Sequence, residues 1–189
     1  LLQFIENAKT TKQGFIIFVK NPLSMKQVIL NHTQIEQKIN RLAFQIIENT
    51  FELDTIYIAG ITGNGIILAE KLKTIIEKNT SQKIVLFEVI LDKDKPLSQS
   101  IEMTIDAKEL EGKTVILIDD VLNSGKTMQY GLMKVLEQPV HKIYTVVLVD
   151  RKHRRFPIKA NFFGLRLTTT LHNHVEVSLE EGNYSAQLS

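Results

Sequence analysis

Cysteine is absent from the 189-residue chain, which removes disulfides, thiol catalysis and cysteine-ligated zinc and suits a reducing compartment. Long apolar runs are absent too. None approaches the roughly 20 residues that span a bilayer, and no secretory signal pattern opens the sequence. Charge of either sign is not in excess: 23 Lys and Arg face 21 Asp and Glu, for a formal +2. No global field therefore draws the chain to nucleic acid, and any surface for it must be local. These absences lead to the expectation of a cytoplasmic protein without membrane association. What is present is 43% hydrophobic content, enough for one sizeable core in one domain.

Residues 115–127 read VILIDDVLNSGKT. The apolar block 115–118, bounded by polar residues, has the pattern of a strand buried on both faces of a parallel sheet. Asp119 and Asp120 fall where that strand is expected to leave the core. The carboxyl ends of strands in open α/β sheets border the ligand crevice, so two anions there suit hydroxyls or a metal-bound substrate. Asn123, Ser124, Gly125, Lys126 and Thr127 follow, supplying backbone N–H groups, hydroxyls and a cation ahead of a helical pattern that begins near Thr127. The free amides of a helix N-terminus favour an anion, phosphate first among them. A nucleotide-triphosphatase loop would need a glycine five positions before Gly125, and Asp120 stands there, so that reading fails on spacing. An ordinary strand-loop-helix junction with a surface Asp pair is the bland alternative.

Around this centre, strand and helix patterns alternate. Apolar residues between 33 and 49 recur at helical spacing, with capping side chains at 31–33. A short strand at 55–59 leads into Gly60-Ile61-Thr62-Gly63-Asn64-Gly65 and a second helical pattern. Those glycines are spaced three and then two, the reverse of the dinucleotide fingerprint. They permit either close approach of backbone to an anion or simply a tight turn with close helix packing. A strand is expected at 83–90, a mobile polar loop at 92–104, a helix from 127 to the break at Pro139, and a β-branched strand at 142–149. Such alternation predicts a parallel sheet covered on both faces. The run 151–159 is locally basic. His172 and His174 are two residues apart, a spacing seen in zinc sites but equally in an exposed turn. Alternation from Val175 to Leu179 predicts a last, half-buried strand, and the tail from Gly182 reads as frayed.

The central motif resembles that of the type I phosphoribosyltransferases: an apolar strand, two acidic residues, two apolar residues and a small loop ending in Thr-Gly-Lys/Arg-Thr. The stretch VLVDRKHRRFPIKANFFG is similar to the pyrimidine-operon regulator and uracil phosphoribosyltransferase branch, where Val-Asp-Arg-Gly-His-Arg precedes Pro-Ile-Arg and a Gly-containing strand. The resemblance covers residues 25–180. It implies an α/β fold with an open, mostly parallel sheet, helices on both faces and a small hood near 151–174. The domain would span 25–189, preceded by an extension, 1–24, of no assigned role. By the same resemblance, the activity is transfer of a phosphoribosyl group from phosphoribosyl diphosphate to a nucleobase, a pyrimidine such as uracil.

In that reading Asp119 and Asp120 hold ribose hydroxyls, with Mg²⁺ bound through the substrate rather than directly by protein. Asn123 to Thr127 wrap the 5′-phosphate. Ile61, Thr62, Gly63, Asn64 and Gly65 face pyrophosphate, and Lys93 and Lys95 are within reach of it. Asp150, Arg151, Leu167, Thr168 and Thr169 rim the base pocket. The resemblance also implies a homodimer or larger homo-oligomer. It leaves open a nucleotide-sensing regulator that binds messenger RNA through Arg41, His153, Arg154 and Lys159. Three departures stand out. Relatives commonly carry a cation in the 62–64 loop and this chain has none. Asn123 matches neither the Asp of purine-specific relatives nor the Tyr usual in the pyrimidine regulators. Gly164 to Thr170 replaces Gly-Lys-Asn-Ile-Pro-Thr-Ser.

Overall fold

The structure, a computed structural model, describes residues 8–10, 16–18, 27–168 and 174–189. Strands β1 (Ala8–Thr10) and β2 (Ile16–Phe18) pair antiparallel with each other. Strand β3 (Gln27–Leu30) leads into helix α1 (His32–Thr50). Asn31 caps α1 reciprocally: its Oδ1 accepts the Gln34 N–H at 2.9 Å, and Gln34 Oε1 accepts the Asn31 N–H at 3.0 Å. Such a box stabilises a helix start by about 1 kcal/mol. The chain continues through β4 (Thr55–Ile61), α2 (Asn64–Asn79), β5 (Lys83–Ile90), β6 (Glu102–Met103), a short 3-10 helix (Ala107–Leu110) and β7 (Thr114–Leu122). It ends with α3 (Lys126–Val135), β8 (Lys142–Asp150), β9 (Phe162–Arg166), β10 (Val175–Ser178) and β11 (Ser185–Leu188).

Strand order in the main sheet is β6-β5-β4-β7-β8-β9, with every neighbouring pair parallel except β5 and β6. The period-two alternation of the strands sorts the core into two layers. Ile56, Ile58, Ile116, Ile118, Val146 and Leu148 face α1 and α2, meeting Ile39, Leu42, Ile46, Leu68 and Leu72. Tyr57, Ala59, Ile61, Val115, Leu117 and Val147 face the other way, toward Met128 and Val135 of α3 and Leu110 of the 3-10 helix. The expected architecture, a mostly parallel sheet with helices on both faces, is what the chain adopts.

Three local differences matter. Strand β7 does not stop at Ile118. Its ladder with β8 continues through Asp119↔Val147, Val121↔Val149 and Leu122↔Asp150, so Asp119 lies inside the sheet rather than beyond it. The polar segment 92–104 contributes β6, which closes the sheet edge. The tail is not frayed either. Strand β11 is the middle strand of a second, antiparallel sheet, β10-β11-β3, and Ala186 is fully buried within it. Among the described residues, no helix is long and apolar enough to cross a membrane.

Candidate active site

Parallel strands β4 and β7 both end at one open cleft of about 760 Å³. Helix α2 starts there at Asn64 behind Gly63, and α3 starts there at Lys126 behind Gly125. Two helix N-termini with free amides therefore border the same space, each equivalent to roughly half a positive charge. This arrangement favours a ligand with two separated anionic groups.

Close packing positions the first of these helices. A Cβ on Gly65 would lie 2.9 Å from the Ile118 carbonyl oxygen and 3.3 Å from the Asp119 Cα, so only glycine lets α2 rest against β7 beside the carboxylates. Gly63, by contrast, has φ 82°, and a Cβ added to it would meet nothing within 4 Å. Of the alternatives the glycine loop left open, Gly65 serves packing and Gly63 serves an open turn facing the cleft.

The two carboxylates occupy different environments. Asp119 is 3% exposed, and its Oδ1 accepts the Asp120 N–H at 3.0 Å. Burial, reinforced by the neighbouring Asp120 charge and opposed by Lys93, pushes its pKa up to about 7. Asp120 is half-buried, and its Oδ2 accepts the Asn64 Nδ2–H at 2.9 Å. The same Asn64 amide donates to the Val177 carbonyl at 2.9 Å, tying the small sheet to the cleft. Lys93 reaches in from the segment after β5, with Nζ 2.8 Å from Asp119 Oδ1 and 3.6 Å from Asp120 Oδ1. Burial works to lower the Lys93 pKa, but the two carboxylates outweigh it and hold the ammonium above its ordinary value. Lys126 Nζ donates to the Asp94 carbonyl. Residues 93–94 are thus strapped over the cleft from both sides.

The bend at 122–127 is braced from behind. Gly125 has φ 86°, a left-handed conformation that suits glycine, and a Cβ there would come within 2.8 Å of Ile158 Cγ2. The Ser124 carbonyl accepts N–H groups from Arg155 at 2.9 Å and Phe156 at 3.0 Å. Arg151 Nη1 donates to Asn123 Oδ1 at 2.8 Å.

Asp119, Asp120, Asn123, Ser124, Gly125, Lys126, Thr127, Thr62, Gly63 and Asn64 therefore share one cleft. Ile61 and Gly65 do not line it. Ile61 is fully buried at the end of β4, and Gly65 is packed against β7. The residues expected to rim a base pocket do not line this cleft where they are described. Asp150 is fully buried and paired with Arg154 and, at 2.9 Å, with Arg166. Arg151 is 3% exposed and supports Asn123 from behind. Leu167 and Thr168 follow β9 without lining the cleft; Thr169, like His172, lies outside the described residues. The four cations expected on an RNA face do not form a free stripe. Arg41 donates to the carbonyls of Phe163 and Gly164, both at 2.7 Å, and Arg154 turns to Asp150. His153 is half-buried and Lys159 exposed.

Sequence reasoning missed Arg155, His174 and Glu176, which also line the cleft. Lys93 stood out only as a cation within reach of the site. No periodicity reveals that it pairs with a carboxylate 26 residues away.

Residues 26–181 match the family model described as phosphoribosyl transferase domain. The chain is similar to proteins named bifunctional protein PyrR. One from Fusobacterium nucleatum is 32% identical over 162 residues, covering 82% of this chain and 92% of that protein. One from Bacillus subtilis is 30% identical over 172 residues, covering 84% and 93%. Among solved structures, a hypoxanthine phosphoribosyltransferase of Trypanosoma cruzi superposes with a TM-score of 0.65 at 14% identity, covering 85% of this chain and 95% of that one. A hypoxanthine-guanine phosphoribosyltransferase of Bacillus anthracis does so with a TM-score of 0.62 at 20% identity, covering 75% and 82%. At those identities the structural likeness speaks for the fold.

Proposed function

The chain belongs to the phosphoribosyl transferase domain family, and on that premise we propose that it transfers the 5-phosphoribosyl group of phosphoribosyl diphosphate to a pyrimidine base, uracil. The observation that carries this reading is the cleft itself: an acid pair lies between two helix N-termini, one of which begins at a left-handed glycine bend. Ribose hydroxyls match the carboxylates in the middle, the 5′-phosphate matches the amides of 123–127, and the diphosphate matches the amides of 62–64.

In the reaction the C1–O bond to diphosphate breaks, a bond from a base nitrogen to C1 forms, the proton on that nitrogen passes to solvent or to the departing pyrophosphate, and pyrophosphate leaves with its charge. The protein's part is alignment, charge stabilisation and exclusion of water from C1. Asp120, the more open carboxylate, accepts hydrogen bonds from ribose hydroxyls, while Asn64 fixes its other oxygen. Lys93 leaves the acid pair as the sugar arrives. It then offers the diphosphate a cation that the 62–64 loop lacks. The oxygen-only acid pair suits a hard divalent ion held through the substrate, and Mg²⁺ there would neutralise diphosphate charge. Arg151 is a positioning residue that acts through Asn123.

A nucleobase screen with pyrophosphate release as the readout tests the proposal. Uracil is expected to give nucleotide, and Asp120→Asn to lower the rate by about 10²-fold or more, the scale seen when one pre-organised polar contact is removed. If none of uracil, guanine, hypoxanthine, xanthine and adenine gives nucleotide, the activity is refuted. A second reading, a nucleotide-sensing regulator that binds messenger RNA with little catalysis, is favoured by one observation: the loop facing the diphosphate carries no charge. A filter-binding series without salt-sensitive RNA affinity would exclude it.

A further inference from the structure

The acid pair of the cleft is occupied by the protein itself. Asp120 Oδ2 accepts the Asn64 amide at 2.9 Å, which leaves Oδ1 as its remaining acceptor, and the Lys93 ammonium stands 3.6 Å from that atom. Lys93 Nζ also donates at 2.8 Å to Asp119 Oδ1, the oxygen that accepts the Asp120 N–H. One lysine thus covers acceptors on both carboxylates. The backbone around it is fastened. The Asp94 carbonyl accepts from Lys126 Nζ at the start of α3, and Asp92 Oδ1 accepts the N–H groups of Asp94 and Lys95 at 2.8 and 2.9 Å. A lysine carried on this pinned turn and released from the acids stays over the cleft.

We propose that Lys93 makes the cleft select sugar phosphates by what they carry at C1, admitting phosphoribosyl diphosphate and disfavouring ribose 5-phosphate. The inference rests on the phosphoribosyl diphosphate reading of the cleft. The two sugars share the 5′-phosphate and the hydroxyls that the acids and the 123–127 bend would take. Either one must displace the ammonium to reach Asp120, which breaks a partly desolvated ion pair. Only the diphosphate gives that ammonium a second anion, beside a 62–64 loop with no cation of its own. A ligand that binds only the open site has its apparent affinity lowered by the fraction of molecules in which the site is open. With the site open in about one molecule in ten, the loss is about tenfold. The new ion pair offsets that loss for the diphosphate and not for ribose 5-phosphate.

A lysine that merely braced the cleft would behave differently. Its removal would loosen the acid pair and weaken both sugars. A lysine that guards the acid pair does the opposite for the smaller sugar, because its removal leaves the hydroxyl acceptors open. The sign of one affinity change therefore separates the two roles.

Isothermal titration of ribose 5-phosphate and of phosphoribosyl diphosphate, each with Mg²⁺, into the unaltered protein, Lys93→Met and Lys93→Arg tests it, with circular dichroism to check folding. Lys93→Met is expected to bind ribose 5-phosphate about tenfold tighter than the unaltered protein does. Its preference for the diphosphate should fall by at least that factor, and Lys93→Arg, which keeps the charge, should restore much of it. The inference alone is overturned if the unaltered protein binds the diphosphate and Lys93→Met holds ribose 5-phosphate no tighter than the unaltered protein does. If the diphosphate binds none of the three proteins, the reading of the cleft falls and this inference with it. Limiting acetylation of the unaltered protein, read by mass spectrometry, needs no variant. Lys93 should react slowly without ligand, several-fold faster with saturating ribose 5-phosphate, and slowly again with phosphoribosyl diphosphate. Equal reactivity in the three states would overturn the inference.

Discussion

Replacing Asp119 by Asn should make the protein more stable at alkaline pH. Asp119 is 3% exposed inside β7, and burial first, then the Asp120 charge, raises its pKa from the ordinary 3.8 to about 7 in spite of Lys93. A carboxyl whose folded pKa is raised takes up protons on folding between those two values. Stability from this group is therefore fully present below about pH 4, falls as pH climbs toward 7, and is level at its lowest above that. Moving a carboxyl from 3.8 to about 7 corresponds to about 4 kcal/mol. Asparagine carries no charge to desolvate, so Asp119→Asn should gain up to about 4 kcal/mol over the unaltered chain at pH 8 and little at pH 4. Urea unfolding at several pH values, with the difference between the two proteins plotted against pH, gives the answer. A difference that is independent of pH, or a variant less stable at pH 8, would refute the reasoning.

Three further perturbations follow from the same geometry. Lys93→Met removes the cation from the acid pair, so the Asp119 carboxyl, followed by carbon NMR, should titrate above about 7. The variant should lose about 1–2 kcal/mol at pH 8 and almost nothing at pH 5, a cost reduced because the lysine is one-third exposed. Gly65→Ala forces a Cβ to 2.9 Å from the Ile118 oxygen, where backbone cannot easily yield; denaturant melts should show a loss of about 1–3 kcal/mol. Deleting residues 183–189 removes the middle strand of the small sheet and leaves both β3 and β10 without the strand they pair with. A large drop in thermal stability is expected, whereas a truly loose tail would leave the melt unchanged.

The parts of this protein legible in its sequence are those governed by local periodicity. Strand β5 occupies 83–90 as its composition indicates, and α1 is found between its capping box and Thr50. The 119–127 stretch could be read because strand, acid pair and helix start are contiguous. What sequence could not supply is pairing across distance. Asp150 with Arg166, Arg151 with Asn123 and Lys93 with Asp119 join residues 16, 28 and 26 positions apart. These contacts turned two expected base-pocket residues inward and filled the acid pair with a lysine. Strand β11 was invisible for another reason. Its four residues, Ser-Ala-Gln-Leu, bury chiefly one small side chain, and its strand state is set by the two neighbours it hydrogen-bonds.

The central claim is that the acid pair and the bend ending at Thr127 grip one sugar phosphate. Calorimetric titration of phosphoribosyl diphosphate with Mg²⁺ into the unaltered protein and into an Asp120→Asn, Thr127→Ala double variant tests it most directly. Binding is expected in the first and should weaken by about 100-fold or more in the second, as two charge-assisted contacts are lost. Equal affinity in the two proteins, or no binding to the unaltered protein, would contradict the account.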